Sequence, residues 1–456
     1  MMNKIKFGTD GWRAKMSEDF THENVQLVTQ ALVKYLGEKG LAGRGVAVGY
    51  DNRKDSENFA RTAAEICSGA GIKTLLTSHS VPSPVISYTV KNNNLGAGIM
   101  ITASHNPPEW NGFKIKEGFG GSSFPETTKA VEANLKDVLE IKPSGANLKL
   151  IDPDQDYLDK LKSLVNIELI KSGNLKIVID PMFGSGNGYF KKLGIQVTEI
   201  RGSRDVNFGG INPEPIALNL KSSIEFIKKG SLDVCVVLDG DADRLAAIDG
   251  TGRFINTHNV FCLLLRHLAG NRKMTGEVIK TFNLTNLIDK LCLEYQRKLT
   301  VVPIGFKHIA KEMLEKDILL GGEESGGMGI KGFIPERDGV LAGLTLLELM
   351  ATEKKTLLQI LDEIMKKHGY FYYDRLDVKT DKGIELVKQL SVTPPEEYAG
   401  MKITKIETLD GLKLNFADES WILFRASGTE PLLRIYAEGR SDEEVKALLE
   451  ASKSLI

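Results

Sequence analysis

Three α/β units with mixed, largely parallel sheets, followed by a smaller C-terminal α+β unit, form the fold class this sequence predicts. Three observations carry that prediction. The chain has 456 residues, room for roughly three or four domains of about 100–150 residues each. Short β-rich apolar runs alternate with helical patterns over most of its length, the rhythm of α/β domains. After His368 the texture changes to paired strands around a polar loop, closed by a helix.

Val46–Gly49 reads as a strand and Ser56–Ala70 as the helix that follows it. Ala97–Thr102 is the next clear strand. Leu175–Asp180 is a strand running into a Gly-rich turn, Gly184 to Gly188, before more helical sequence. Val234–Leu238 is continuously apolar, as expected of a strand buried on both faces. Ile318–Leu320 is a shorter run of the same kind. In the last unit, Trp421–Phe424 and Leu432–Ala437 flank the polar loop, and Ser441 with Glu444 forms a capping-box pattern that opens a helix. Boundaries are expected near Pro143–Leu148, Gly250–Asn256 and His368–Tyr370. They give units at 1–148, 149–252, 253–368 and 369–456.

Composition narrows the function classes. The chain is 42% hydrophobic and 26% charged, ordinary for a folded globular protein. It carries 59 basic and 60 acidic residues, a net charge of -1, so no global field favours nucleic acid or an acidic membrane. Cys67, Cys235, Cys262 and Cys292 lie far apart with no C-x-x-C pair, which argues against a zinc site or a disulfide framework and fits a reducing cytoplasm. No signal-like N-terminus and no run of ~20 apolar residues is present. A soluble cytoplasmic protein without a membrane or nucleic-acid partner is expected; its oligomeric state is open.

The strongest local signal is Asp239-Gly240-Asp241-Ala242-Asp243-Arg244, directly after the buried run. In an extended or gently curved chain, alternate side chains point the same way, so the three carboxylates converge. Such a trio repels itself unless a cation sits among the oxygens, and hard oxygen donors select Mg²⁺ or a similar ion. Arg244 can pair with a phosphate on the far side of the metal. An acidic surface turn is the plainer alternative, but it does not explain three alternating Asp at the end of a core strand.

The second signal is Thr102-Ala103-Ser104-His105-Asn106-Pro107-Pro108 at the end of another strand. Ligands bind at the carboxyl ends of strands in such sheets. No G-x-S-x-G elbow or hydrolase triad accompanies Ser104. A serine beside a metal site points to phosphoryl rather than acyl transfer, a phosphoserine supplying about -2 charge for the metal to balance. An Asn-Pro turn with an incidental serine would look the same in isolation. Lys114 and Lys116 follow closely, and either could reach back to the serine. Lys114, near other cations or a metal, would have the lowered pKa of a general acid/base. His105 could orient the loop or move a proton.

Three weaker segments complete the set. Gly321-Gly322-Glu323-Glu324-Ser325-Gly326-Gly327 places a carboxylate and a hydroxyl among glycines, suited to neighbouring sugar hydroxyls if the loop is extended. Arg425-Ala426-Ser427-Gly428-Thr429-Glu430-Pro431 combines a guanidinium, hydroxyls and Gly-permitted amides into an anion nest. Phe7-Gly8-Thr9-Asp10-Gly11-Trp12-Arg13 offers Arg13 to a site. Each would also pass as an ordinary polar turn.

In this order the five segments resemble the α-D-phosphohexomutase family, over essentially the whole chain from Phe7 to Pro431. The resemblance implies four domains around a central cleft, each contributing one loop. It implies that Ser104 is phosphorylated in the active enzyme and that Asp239, Asp241 and Asp243 hold one Mg²⁺, with the serine phosphate as a further ligand. Arg13 and Lys114 match basic residues near the reacting phosphate. Glu323 and Ser325 match the sugar-hydroxyl loop, and Arg425, Ser427, Gly428 and Thr429 match the loop that grips the non-reacting phosphate. Arg337 and Lys307 resemble basic substrate contacts. The implied reaction interconverts hexose 1- and 6-phosphates through a sugar bisphosphate that turns over in the cleft. Glu323-Glu324-Ser325 is similar to glucose and mannose mutases. A phosphoglucosamine mutase or phosphopentomutase is the alternative within the family. A metal-dependent phosphatase would leave the Ser104 loop unexplained, and a non-catalytic phosphosugar-binding protein would be expected to lose one of these motifs.

Overall fold

The computed structural model describes residues 5–427 and 431–455. Four sheets follow one another along the chain. The first orders its strands as Trp12–Lys15, Trp110–Glu117, Ala97–Ile101, Val46–Tyr50, Thr74–Thr77 and Leu148–Ile151. Its last four strands run parallel, and Trp110–Glu117 is antiparallel to both of its neighbours. The strand Leu148–Ile151 pairs with Thr74–Thr77, so the boundary expected at 148/149 falls at the start of an edge strand of the first sheet.

The second sheet centres on the buried strand Val234–Leu238, parallel to Ile177–Asp180 and antiparallel to Leu245–Asp249. Phe254–Ile255 and Val197–Glu199 form its two edges. The third sheet sets Glu277–Thr281 parallel to both Leu299–Val302 and Ile318–Gly322. The fourth is wholly antiparallel and holds Trp421–Ala426 between Leu412–Phe416 and Leu432–Gly439. The closing helix Asp442–Ser452 has Ser441 as its N-cap, accepting from Glu444 N at 3.1 Å. The return bond goes one residue further back than the capping box requires: Glu444 Oε2 accepts from Arg440 N at 2.7 Å.

The first unit keeps a large core of its own around Trp12, Phe20 and Ile99, but a second core joins it to the next two units. This second core runs from Val85, Ile86 and Met100 through Val236 and Phe261 to Leu346 and Phe371. The helix Gly339–Glu353 makes this possible. It is mostly apolar and buried without a break from Gly339 to Ala351, the pattern of a helix with protein on every side. Its N-cap, Asp338, accepts from Leu341 N at 2.8 Å and from the Tyr157 hydroxyl at 2.8 Å. Gly339 N donates to Ala242 O at 3.0 Å, so the start of this helix is pinned to the aspartate loop. Among the described residues, no helix is long and apolar enough to cross a membrane.

Candidate active site

Ser104 sits just beyond the parallel strand Ala97–Ile101 and is fully buried. Its φ is 53°, a left-handed conformation that costs a non-glycine residue about 1–3 kcal/mol and persists only where surroundings enforce it. Here Ser104 N donates to Thr102 Oγ1 at 2.9 Å. The buried Arg53 guanidinium donates to the carbonyls of Ser104 (2.6 Å), Asn106 (2.7 Å), Pro107 (2.8 Å) and Trp110 (3.1 Å). Asp51, 3.2 Å from Arg53 Nε, also accepts from Thr102 Oγ1 at 2.6 Å. Arg53 and Asp51 were not singled out in the sequence. Their position just past the strand Val46–Tyr50, beside Ala97–Ile101, was the available signal, since such strand ends hold ligand-facing loops.

The aspartate loop meets this serine directly. Ser104 Oγ donates to Asp239 Oδ2 at 2.8 Å. Glycine at 240 is required, because a Cβ there would lie 2.5 Å from Ser104 O. The three carboxylates converge through a tight turn rather than an extended alternation: Ala242 has φ 55° and donates its N–H to Asp239 O at 3.0 Å. One oxygen from each of Asp239, Asp241 and Asp243 lies within 4.8 Å of the others. All three residues are buried, and Asp241 Oδ1 and Asp243 Oδ1 have no hydrogen-bond partner. Two orphaned carboxylate oxygens in a dry, three-carboxylate cradle are the donor set a hard divalent cation takes, so these residues fit Mg²⁺. A second grouping, His79, Asp152 and Asp154, already carries a cation of its own, because Lys192 Nζ pairs with Asp154.

Burial and repulsion from Asp241 and Asp243 push Asp239 well above the ordinary carboxylate range. Asp241 moves the other way. Burial opposes its charge, but the Lys114 ammonium at 2.8 Å and the Ser83 hydroxyl hold its pKa down. Lys114 itself touches Asp10 (2.8 Å), Asp241 (2.8 Å) and Asp243 (3.1 Å). The lowered pKa expected for Lys114 is therefore reversed. Burial pulls it down, but three carboxylates outweigh burial and raise it. Neither lysine reaches back to the serine in this structure: Lys116 is buried against Glu336 Oε2 at 2.6 Å. His105 is held well below its usual pKa by burial and by the nearby Arg244 and Arg13. Its uncharged Nδ1 accepts from Arg244 Nη1 at 2.9 Å and lies 3.2 Å from Ser104 Oγ. Arg13 donates to Asn106 Oδ1 at 2.7 Å, on the serine loop.

The third unit closes on this centre. Leu245 N donates to Gly326 O at 3.1 Å and Glu323 N to Gly327 O at 3.0 Å, so the Glu323–Gly327 segment is a tight turn hydrogen-bonded to the aspartate strand. Glu323 is buried, with its pKa raised by that burial despite Arg337 and Arg244 nearby. Ser325 is half-buried in the same turn. Glu324 points elsewhere, accepting from the Tyr373 hydroxyl (3.0 Å) and Arg375 Nη1 (3.2 Å) of the C-terminal unit. Arg337 is buried among carboxylates, 2.6 Å from Asp10 and 2.8 Å from Asp243. Asp10 is a third residue that sequence reasoning missed. Burial raises its pKa, but Lys114 and Arg337 bring it well below the usual range. Lys307 lies in the first turn of the helix Phe306–Glu315, and Gly305 adjoins Thr9 of the N-terminal loop.

The C-terminal loop stands apart from this network. Arg425 Nε donates to Asp410 Oδ1 at 3.0 Å, and Asp410 Oδ2 accepts from Ile304 N at 2.9 Å. Ser427 N donates to Leu432 O at 2.8 Å. Gly428 and Thr429 lie outside the described residues.

A buried serine pressed onto a metal-ready carboxylate trio and ringed by arginines and a lysine is built for metal-assisted phosphoryl transfer. Comparison with known proteins specifies the kind. Models of phosphoglucomutase/phosphomannomutase match alpha/beta/alpha domain I over residues 4–142, domain II over 155–252, domain III over 256–368 and the C-terminal domain over 352–453. A phosphoglucomutase/phosphomannomutase of Thermococcus kodakarensis is 32% identical, covering 100% of this chain and 99% of the relative. A phosphoglucosamine/phosphogalactosamine mutase of Sulfurisphaera tokodaii is 28% identical, covering 100% and 99%. A solved Thermus thermophilus structure assigned as a phosphomannomutase superposes with a TM-score of 0.90 at 33% identity, covering 100% of this chain and 99% of that one. The chain belongs to the phosphoglucomutase/phosphomannomutase family, whose members are intramolecular phosphotransferases that use Mg²⁺.

Proposed function

We propose that this cleft moves phosphate between C1 and C6 of a hexose, with glucose and mannose phosphates as its preferred substrates. The observation that carries the reading is the 2.8 Å contact between Ser104 Oγ and Asp239, which joins the nucleophile's loop to the metal loop. In this reading Ser104 carries the phosphoryl group at the start. The Oγ–P bond breaks as a bond forms from the sugar's free hydroxyl oxygen to phosphorus, and that hydroxyl's proton leaves to a base. The resulting bisphosphate turns over, and the Ser104 alkoxide takes the other phosphoryl group. Asp239, Asp241 and Asp243 would hold Mg²⁺, which would supply charge neutralisation for the phosphoryl group. Arg244, Arg13 and Lys114 add fixed positive charge on the same side, and transfer depends on positioning and charge neutralisation. His105, uncharged and anchored by Arg244, orients the serine. Glu323 and Ser325 read sugar hydroxyls, while Arg425, Ser427, Gly428 and Thr429 grip the phosphate that is not reacting.

The sugar preference rests on the Glu323-Glu324-Ser325 segment, whose middle residue turns toward the C-terminal unit. Phosphoglucosamine transfer is the second reading, favoured by relatives such as the Sulfurisphaera tokodaii mutase. Coupled assays on the 1-phosphates of glucose, mannose, glucosamine and ribose separate the two. Glucose and mannose phosphates are expected to exceed glucosamine phosphate by about tenfold or more in kcat/KM, the scale of one lost polar contact. A preference for glucosamine phosphate would overturn the assignment.

A further inference from the structure

Arg337 makes contacts that a substrate-binding arginine would not need. It lies between the strand Met328–Ile330 and the N-cap Asp338 of the buried helix. Asp338 N bonds Met328 O at 3.1 Å, and the next residue, Gly339, bonds the aspartate loop at Ala242. The backbone on its C-terminal side is thus fixed to both the sugar-reading unit and the metal loop. Its side chain lies flat against the sugar-reading turn, where a Cβ at Gly327 would sit 2.2 Å from Arg337 Cδ. With 5% of the side chain exposed, its Nη2 reaches Asp10 at 2.6 Å and Asp243 at 2.8 Å, and Nη1 faces Glu323 Oε2 at 3.5 Å. Three loops from three units meet on one guanidinium.

We propose that Arg337 is a positioning residue that couples metal binding to sugar recognition by sharing one planar cation between Asp243 and Glu323. The inference rests on the reading above, in which Asp243 holds the metal and Glu323 reads the sugar. Asp243 Oδ2 is occupied by Arg337 and Lys114, while Oδ1 has no hydrogen bond and meets Arg244 Nε at 3.6 Å. Glu323 Oε2 has no hydrogen bond, so its hold on Arg337 is Coulombic and changes whenever that carboxylate engages a hydroxyl. Any such change alters the pull on Asp243. By linkage, metal occupancy then alters the affinity of the sugar-reading loop by the same factor. Only a rigid fork serves two carboxylates at fixed angles; a lysine at this position keeps the charge and loses that geometry.

A double-mutant cycle tests this on the full-length, dephosphorylated protein, with Mg²⁺ binding read by calorimetry. Glu323→Gln is expected to weaken Mg²⁺ about tenfold when Arg337 is present, and by less than about twofold in the Arg337→Lys background. Equal changes in both backgrounds would show that Arg337 does not transmit the effect. An unchanged Mg²⁺ affinity in Glu323→Gln alone would overturn the proposal even if Arg337→Lys fails to fold. Failure of the unaltered protein to bind Mg²⁺ would remove the metal reading and this inference together. Mg²⁺ binding with additive variants removes the inference alone.

Discussion

The chemical centre and the C-terminal unit are held in opposite ways. Ser104, the three aspartates and Arg337 hang on loops of three units joined by one apolar core, to which the first unit contributes Val85, Ile86 and Met100 besides a core of its own. Buried ion pairs such as Lys116–Glu336 tie those units together across 220 residues of chain. The C-terminal unit keeps its own core, built on Leu414, Phe424, Ile435 and Leu448. It meets the third unit through a small cluster, Phe282, Trp421, Leu423 and Tyr436, and through polar contacts such as Asn286 to Glu438 and Tyr373 to Glu324. Fused cores resist relative motion, whereas a small, polar joint is the usual setting for it. Under the proposed function, the difference teaches that the reacting groups are preorganised, while the C-terminal loop is an attachment whose loss should change affinity more than chemistry.

The largest effect should come from the fused side. In the proposed reading Ser104→Ala removes the phosphoryl carrier, and transfer should fall by a factor on the order of 10⁴ or more. The melting temperature should stay close to that of the unaltered protein, because Arg53 still holds the loop through backbone carbonyls. Substantial turnover in this variant, measured by coupled assay, would mean that the carboxylate-facing serine is not the carrier.

Arg425→Ala probes the attached side. A charge-assisted hydrogen bond contributes about 1.5–3 kcal/mol, so KM should rise roughly tenfold to a few hundredfold. Mg²⁺ affinity and phosphate on Ser104, followed by calorimetry and peptide mass mapping, should persist. An unchanged KM and turnover would show that the C-terminal loop does not grip substrate, and the contrast between the two regions would lose its functional meaning.

The smallest effect concerns the joint itself. Lys413 is buried between the third and fourth units, 4.0 Å from the Trp421 ring centroid, and donates to Phe282 O at 3.3 Å. Burial and the nearby Lys280 push its pKa down to about 7, against about 10.4 for an unfolded lysine. Between those values the unfolded chain binds more protons, so this group makes stability rise with pH from about 7 toward 10 and withdraws that stability as pH falls. The melting temperature should therefore gain on the order of a few degrees between neutral and mildly alkaline pH, from this group alone. Lys413→Met should shrink that gain. An identical pH dependence in the variant would indicate a Lys413 that stays charged in the folded protein.

The sequence by itself was enough to reveal the α/β rhythm, the Val234–Leu238 core strand, the Ser104 and Asp239–Asp243 loops and the turn carrying Glu323. Each is a contiguous run whose residue types and spacing stand out without knowledge of what packs against it. Tertiary structure alone decided what those loops touch. Arg53 shapes the serine loop through carbonyls that any residues could supply, so nothing in their identity marks it. Asp10 and Arg337 are 327 residues apart in the chain yet hydrogen-bonded at 2.6 Å, and no local pattern encodes that contact. The direction of the Lys114 pKa turned on the same point: a lysine is raised or lowered by whichever charges surround it. Here three carboxylates from two other loops arrive only when separate sheets pack onto one core.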